Sequence, residues 1–377
     1  MEHKLSSANA KKSIKSAIKI ILTGAAISAI IAVFTMPSDD MANALSKILL
    51  FSIQVQSSGF DTGGELLANN NKETAKNAVS PADVAVKTAA ATTTTTAATT
   101  TQATKATTTA PQKDADRGAV REEKIKNAGV NNGKVYVNNA NKNYKLDINK
   151  ILKQKPDCKI KKNDQYQVLI VHTHTTECYA DSDSDWYDKG ASVRTTDKSK
   201  NIVAVGEIIS DILNEEGIKT LHVTTLHDYP KYNGSYDRAE ETISGYLKKY
   251  PSIQVVIDVH RDSITRDDGT KIKPTTTINN KKAAQVMIIT GCDVDKTLDF
   301  PNWEKNLRFA LQLQNQMASD YPTLARPVYF APRRYNMHLT KNSLLVEFGT
   351  DVNTLEEAKY SAQMVGKSLR DVLLKCM

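Results

Sequence analysis

The sequence predicts an α/β protein, a mostly parallel sheet flanked by helices on both faces, preceded by a transmembrane helix and a disordered linker. Three observations carry this. From residue 167 onward, short apolar runs such as "QVLIV" and "QVVIDV" alternate with stretches whose apolar residues recur every three or four positions, as strands and helices do in turn. The runs are continuous rather than alternating, which suits strands covered on both faces. The N-terminal third instead holds one long uncharged stretch followed by a Thr/Ala tract.

Taken in order, residues 1–19 are a lysine-bearing N-terminus, predicted to be cytoplasmic. Residues 20–36, "IILTGAAISAIIAVFTM", carry no charge. At 1.5 Å per residue they reach roughly 25 Å, the low end for a membrane-spanning helix. Lysines before the span and few after it put the rest of the chain outside the cytoplasm. A cleaved signal peptide is the competing reading, with "ANA" at 42–44 as the cleavage site, although it sits far beyond the apolar run. Both readings imply export. Residues 37–133 read as a flexible extracytoplasmic linker. Within it, 45–55 is a short apolar segment suited to the membrane surface, and 89–110, "AAATTTTTAATTTQATKATTTA", has too few large apolar residues to offset the entropy of ordering.

The folded domain is expected over 134–377. It opens with a strand, a turn and a short helix in "KVYVNNANKNYKLDINKILK". A strand at "QVLIV" follows. Then comes a helix bearing Ile202, Val205, Ile209 and Ile212, with Asp197 as N-cap and Gly217 as terminator. Strands at "IKTLHVT", "QVVIDV" (254–259), "QVMIIT" (285–290) and "SLLVEF" (343–348) are separated by helices over about 236–250 and 303–319, and a last helix covers about 354–375.

Charge narrows the function classes. Of the net +8, +7 lies in residues 1–150 and +1 in 151–377, so the folded part lacks the basic face of a nucleic-acid binder. The four cysteines, Cys158, Cys178, Cys292 and Cys376, form no CxxC pair, which argues against a structural zinc knot or a disulfide scaffold.

Chemistry concentrates at three strand ends. In open α/β folds the site lies beyond the carboxyl ends of the parallel strands. "VLIV" runs into His172, His174 and Glu177; "VVIDV" ends at His260; "SLLVEF" carries Glu347. A catalytic Zn²⁺ takes three ligands from His, Glu and Asp and keeps one position open. A carboxylate outside that shell then serves as general base. The expected ligands are His174, Glu177 and His260, with Glu347 as the catalytic base. Asp197 competes with Glu177 for the third place, and His172 stands as ligand or supporting group. Basic residues expected near the same edge, Arg238, Arg261, Arg333 and Arg334, with Arg261 and Arg334 foremost, suit a substrate carrying carboxylates through bidentate contacts. Salt bridges within the protein explain such arginines equally well. His222, His227 and His338 read as ordinary loop histidines.

Together, "VLIVHTHTTECY", "VVIDVHRD" and "RRYNMHLTKNSLLVEFGTDVNTLEEA" resemble the stage II sporulation protein P family, and the resemblance runs from about 134 to the C-terminus. More distantly the pattern is similar to zinc-dependent N-acetylmuramoyl-L-alanine amidases, onto whose metal histidines and catalytic glutamate His174, His260 and Glu347 fall. The amidases' carboxylate ligand stands at the start of the first helix, where this chain has Asp197, while Glu177 lies in the motif shared with the sporulation family. The resemblance implies a Zn²⁺-dependent peptidoglycan hydrolase that cleaves the N-acetylmuramoyl-L-alanine amide bond, with endopeptidase action on crosslinks, during engulfment of the forespore. It further implies a single-pass protein of the mother cell–forespore septum, working with stage II sporulation proteins D and M. Two rivals are weighed against it: a non-catalytic peptidoglycan-binding scaffold, and another metal-dependent amidohydrolase. The HxH pair also occurs in amidohydrolase barrels, but those need eight strand–helix units, more than the sequence offers.

Overall fold

The computed structural model of the protein describes residues 116–377. The expected transmembrane helix at 20–36 and nearly all of the expected linker lie outside these residues. Among the described residues, no helix is long and apolar enough to cross a membrane.

The strand β4 (Val168–Val171) is buried at every position, and its side chains divide between two layers because successive residues point to opposite faces. Val168 and Ile170 enter the larger core, shared with Ile209 of α2 (Val203–Glu215), Phe309 of α4 (Trp303–Asp320) and Leu369 of α5 (Leu355–Leu374). Leu169 and Val171 enter a smaller core with Ile243 of α3 (Ser235–Lys249). Helices therefore cover both faces. A short helix α1 (Ile148–Leu152) is capped by Asp147, whose side chain accepts from the Lys150 amide at 3.0 Å.

The main sheet runs β2 (Val130–Asn132), β3 (Val135–Asn139), β11 (Val328–Ala331), β10 (Val286–Gly291), β12 (Ser343–Thr350), β7 (Val255–Asp262), β4 and β6 (Thr220–His222). The β2–β3 and β10–β12 pairs are antiparallel and the other pairs parallel. The sheet is thus mixed, and its parallel part β12–β7–β4–β6 delivers the ends of β12, β7 and β4 to one edge. α5 begins with a reciprocal cap: Thr354 Oγ1 accepts from the Glu357 amide at 3.2 Å, and Glu357 Oε2 accepts from the Thr354 amide at 3.0 Å, an arrangement worth about 1 kcal/mol.

Three sequence expectations need correction. First, ordered structure starts before residue 134, because β1 (Arg117–Glu123) and β2 are strands. The run "RGAVREE" reads as linker since it has no large apolar residue except Val120. Second, β1 joins a four-stranded sheet, ordered β5 (Trp186–Asp188), β1, β8 (Lys271–Ile278), β9 (Lys281–Ala284), that the sequence did not announce. Its β8 carries Pro274 and a fully buried Lys273, whose ammonium lies 2.9 Å from Glu357. A buried, paired lysine reads as a surface residue until its partner is known. Third, Asp197 is no N-cap: α2 starts at Val203 behind Ile202, and Asp197 instead accepts from the Ser199 amide at 3.0 Å.

Candidate active site

Strand register brings the predicted residues together. In the parallel β12–β7 pair, Glu347 stands opposite His260. The neighbouring β4–β7 pair sets Val171 opposite Asp258, so the turn that follows β4 begins beside His260. That turn is held almost entirely by buried hydrogen bonds. The Thr173 amide and hydroxyl donate to the two Asp258 oxygens at 2.8 and 2.6 Å. The Thr175 hydroxyl donates to the Thr225 carbonyl at 2.6 Å, and the Thr176 hydroxyl donates to Asp228 at 2.7 Å. Residues 172–177 are all buried, so each polar atom left unpaired there would cost about 1–3 kcal/mol. The turn is accordingly well specified.

His174 leaves this turn with its ring 5.2 Å from the His260 ring, at 86°. Tyr232 stacks on its other side at 4.7 Å, and the Tyr232 hydroxyl lies 3.2 Å from Nε2 while Ser235 Oγ lies 3.3 Å from Nδ1. Glu177 places Oε2 3.6 Å from His260 Nδ1 and accepts from the Arg261 amide at 3.1 Å. The structure therefore gathers His174, Glu177, His260 and Glu347, and sets Asp197 apart on the surface, its side chain 47% exposed. Two buried atoms of the cluster, His260 Nε2 and Glu347 Oε2, have no hydrogen-bond partner. His260 Nε2 does approach Asp258 Oδ1 at 2.8 Å, but off the line that a hydrogen bond requires. Among the described residues, no three or more His, Cys, Asp or Glu side chains form a ready-made ion cage.

The electrostatics follow from three buried carboxylates. Burial alone would lower the His260 pKa, yet Asp258, Glu177 and Glu347 outweigh it and push the ring up to about 10. Burial pushes Glu347 up to about 8, with Asp262 and Glu177 acting the same way and His260 opposing. Burial likewise raises Glu177 against the pull of His260 and Arg261. Burial opposes ionisation of Asp258, but His260 and the Thr173 hydrogen bonds win and hold its carboxyl below the usual range. Burial, then the charge of His260, lowers His174 to about 2.

His172 is turned away from this cluster. Its Nδ1 donates to the Val259 carbonyl at 2.9 Å, its Nε2 lies 2.9 Å from His222 Nε2, and His222 Nδ1 lies 2.6 Å from Glu207 Oε2. α2 comes close enough for this only through Gly206, where a Cβ would lie 2.7 Å from His172 Cε1 and 2.9 Å from His222 Nε2. Gly206→Ala is therefore expected to cost about 1–3 kcal/mol by overpacking, measured as a lower urea midpoint at unchanged slope. An unchanged midpoint would mean that the two rings are free to move.

Arg261 is a correction. Its guanidinium is buried and donates to the Cys178, Val193 and Asp262 carbonyls at 2.8, 2.8 and 3.2 Å, which commits it to holding the 178–193 segment rather than substrate. Arg238 is spent similarly on the carbonyls of His227 and Asn233. Arg334 stays partly exposed beside Glu240 at 3.5 Å. The residues that sequence reasoning missed are Asp258, Tyr232 and Tyr236, whose ring stands 5.4 Å from that of His174. Asp258 was legible in principle, since positions two apart on a strand share a face and Asp258 and His260 form such a pair.

Comparison with known proteins places the chain in a family. The family model described as stage II sporulation protein P matches residues 61–370. Stage II sporulation protein P of Bacillus subtilis (strain 168) is 29% identical over 225 residues, which cover 55% of this chain and 51% of that one. The chain thus spans about half the length of the curated relative it matches. Among solved structures, the apo N-acetylmuramyl-L-alanine amidase Ami1 of Mycobacterium abscessus is 14% identical, covering 56% of this chain and 98% of the other, at TM-score 0.34. The CwlD amidase of Clostridioides difficile, solved with the GerS lipoprotein, is 14% identical over 56% of this chain and 98% of its own, at TM-score 0.33. With a match spanning most of its length, this chain belongs to the stage II sporulation protein P family.

Proposed function

We propose that the protein is a zinc-dependent peptidoglycan hydrolase of sporulation that cleaves the amide bond between N-acetylmuramic acid and L-alanine. The observation that carries the reading is the buried meeting of His174, Glu177 and His260 with Glu347 at one sheet edge, where His260 Nδ1 faces Glu177 and Glu347 Oε2 lacks a hydrogen-bond partner. The donor set fits zinc, since two imidazoles and one carboxylate are the ligands of many catalytic zinc sites, and Asp258 stands behind His260 as such a ligand's supporting carboxylate does. His174, Glu177 and His260 would hold the ion, His174 after giving up its contact with Tyr232 or Ser235. Zinc bound there would make water acidic and polarise the scissile carbonyl.

The remaining steps belong to the chain. Glu347, whose carboxyl the charge of a zinc ion beside it would bring back to the ionised form, would take the proton of the attacking water and return it to the departing alanine nitrogen. Tyr236, half-buried with its ring 5.4 Å from that of His174, narrows the access of water from that side. Arg334, on the open rim, meets a carboxylate of the stem peptide. The Thr/Ala-rich segment and the apolar stretch at 20–36 suit a tethered, single-pass enzyme outside the cytoplasm. Family resemblance adds the septum as its place, stage II sporulation proteins D and M as its companions, and crosslink cleavage as a second activity.

The test is incubation of the full chain with purified peptidoglycan, with and without a chelator. The expected result is stem peptides with new N-terminal alanine, lost on chelation and restored by zinc. Intact sacculi with zinc present would leave the scaffold reading in its place.

A further inference from the structure

Beside the candidate active site lies a second cavity. The segment that leaves the site at Glu177 returns to it at Arg194, the two being bridged as antiparallel partners. On the loop between them is a cleft of about 290 Å³ whose walls include Tyr179, Val193, Trp186, Tyr187, Lys271 and Asp351. Tyr179 and Val193 are two and one residues from Glu177 and Arg194, so the cleft begins within about 7 Å of the site along the chain.

Its lining has a definite chemical character. Trp186 is 41% exposed, although the Arg117 guanidinium rests 3.8 Å from its ring centre and steadies it. Tyr187 is fixed: its ring packs on Gly118, where a Cβ would come within 2.2 Å, and its hydroxyl donates to the Gly269 carbonyl at 3.1 Å. Lys271 is spoken for, being paired with Asp351 and set 4.4 Å over the Tyr187 ring. Asp351 has a side chain only 2% exposed, and its Oδ1 has no hydrogen-bond partner. Asp181, Asp188 and several serine hydroxyls complete the wall. The cleft therefore offers the part of the Trp186 ring that Arg117 leaves exposed, an excess of acceptors and no spare cation among its lining side chains. Anions are disfavoured by three carboxylates against one lysine, and an apolar ligand would strand those acceptors without partners. A pyranose satisfies both parts, because its C–H face covers an indole while its hydroxyl and acetamido N–H groups donate to carboxylates and hydroxyls. The volume, at the lower limit of small-molecule sites, suits one or two rings.

We propose that the cleft between Trp186 and Asp351 is a subsite for an uncharged N-acetylated sugar ring of a glycan strand, holding the strand while the adjacent site acts on its side chain. The proposal rests on the peptidoglycan reading for its ligand, but binding requires no turnover, so the two can fail separately. It also explains why an exposed tryptophan stands on a three-residue strand next to the site. The chain has two tryptophans, and the other, Trp303, is 9% exposed in the core, so a ligand-induced change in emission reports on Trp186.

The experiment titrates the full chain, in a detergent without a sugar headgroup, with tri-N-acetylchitotriose, followed by tryptophan emission and by calorimetry. A saturable emission change is expected, kept in Trp303→Phe. Trp186→Ala is expected to weaken calorimetric binding by about tenfold or more, and its far-UV spectrum should stay that of the parent. Binding of a sugar-free stem peptide that shifts Trp186 emission, with no response to chitotriose, would overturn the proposal in favour of a peptide subsite. So would hydrolysis of peptidoglycan by a chain that gives no response to chitotriose at millimolar concentration. Chitotriose binding by a chain that does not hydrolyse peptidoglycan would uphold the subsite and remove the amidase.

Discussion

Glu347→Gln is expected to lower peptidoglycan turnover by about 10²–10⁴-fold while leaving the fold and the bound zinc in place. The residue sits opposite His260 across β12–β7, and its Oε2 is buried without a partner. An amide of the same shape fits that position but cannot take a proton from water. Little stability should be lost, because no hydrogen bond to Oε2 is broken. His174→Ala and Glu177→Ala should behave differently, reducing bound zinc together with turnover, since both side chains lie against His260. Metal analysis and hydrolysis rates on the three purified variants decide the roles. Equal zinc loss in all three would make Glu347 a ligand, and retention of more than about a tenth of the activity in Glu347→Gln would remove it as the base.

Asp258→Ala should be the most destabilising change near the site. Asp258 is 4% exposed and receives the amide and hydroxyl of Thr173 while standing 2.8 Å from His260 Nε2. Truncation would leave two buried donors unpaired and His260 without its nearest counter-charge. Breaking a buried pair in this way costs about 3–5 kcal/mol, and loss of a carboxylate behind a metal-binding histidine weakens metal affinity about 10–100-fold. Asp258→Asn keeps an acceptor for Thr173 and should lose less stability, though it gives up the charge. Urea unfolding of the zinc-free proteins separates the stability term, and zinc competition titration gives the other. A loss below about 1 kcal/mol in Asp258→Ala would show that the turn after β4 is held by its other bonds.

Much of the architecture can be read along the chain because burial leaves a pattern. β4, β7, β10 and β12 are continuous apolar runs, and α3, α4 and α5 begin and end within a residue or two of where apolar periodicity puts them. The second sheet is different. β5 is only three residues long, and β1 and β8 are rich in charged and polar residues tied down by partners distant in sequence, such as Lys273 with Glu357. No local pattern announces such a strand, since its stability resides in pairs rather than in periodicity.

The site divides in the same way. His174, Glu177, His260 and Glu347 stand out because each is a rare metal-type or ionisable residue at the end of an apolar run. Arg261 stands out equally, and its place shows the limit of that signal. It neighbours His260 on β7, and adjacent strand residues point to opposite faces, so its guanidinium reaches the carbonyls behind the cluster. Tyr232 and Tyr236 carry no signal at all until α3 folds against the turn after β4.

The sequence by itself determined the alternation of strands and helices, the strand ends that carry ionisable groups, and the family. Which of two histidines faces the cluster, which carboxylate joins it, and whether an arginine is open to a ligand were decided by tertiary structure alone. The reason is physical: residue type and spacing specify which face of an element a side chain takes, whereas its partner depends on the register of strands that lie nearly a hundred residues apart.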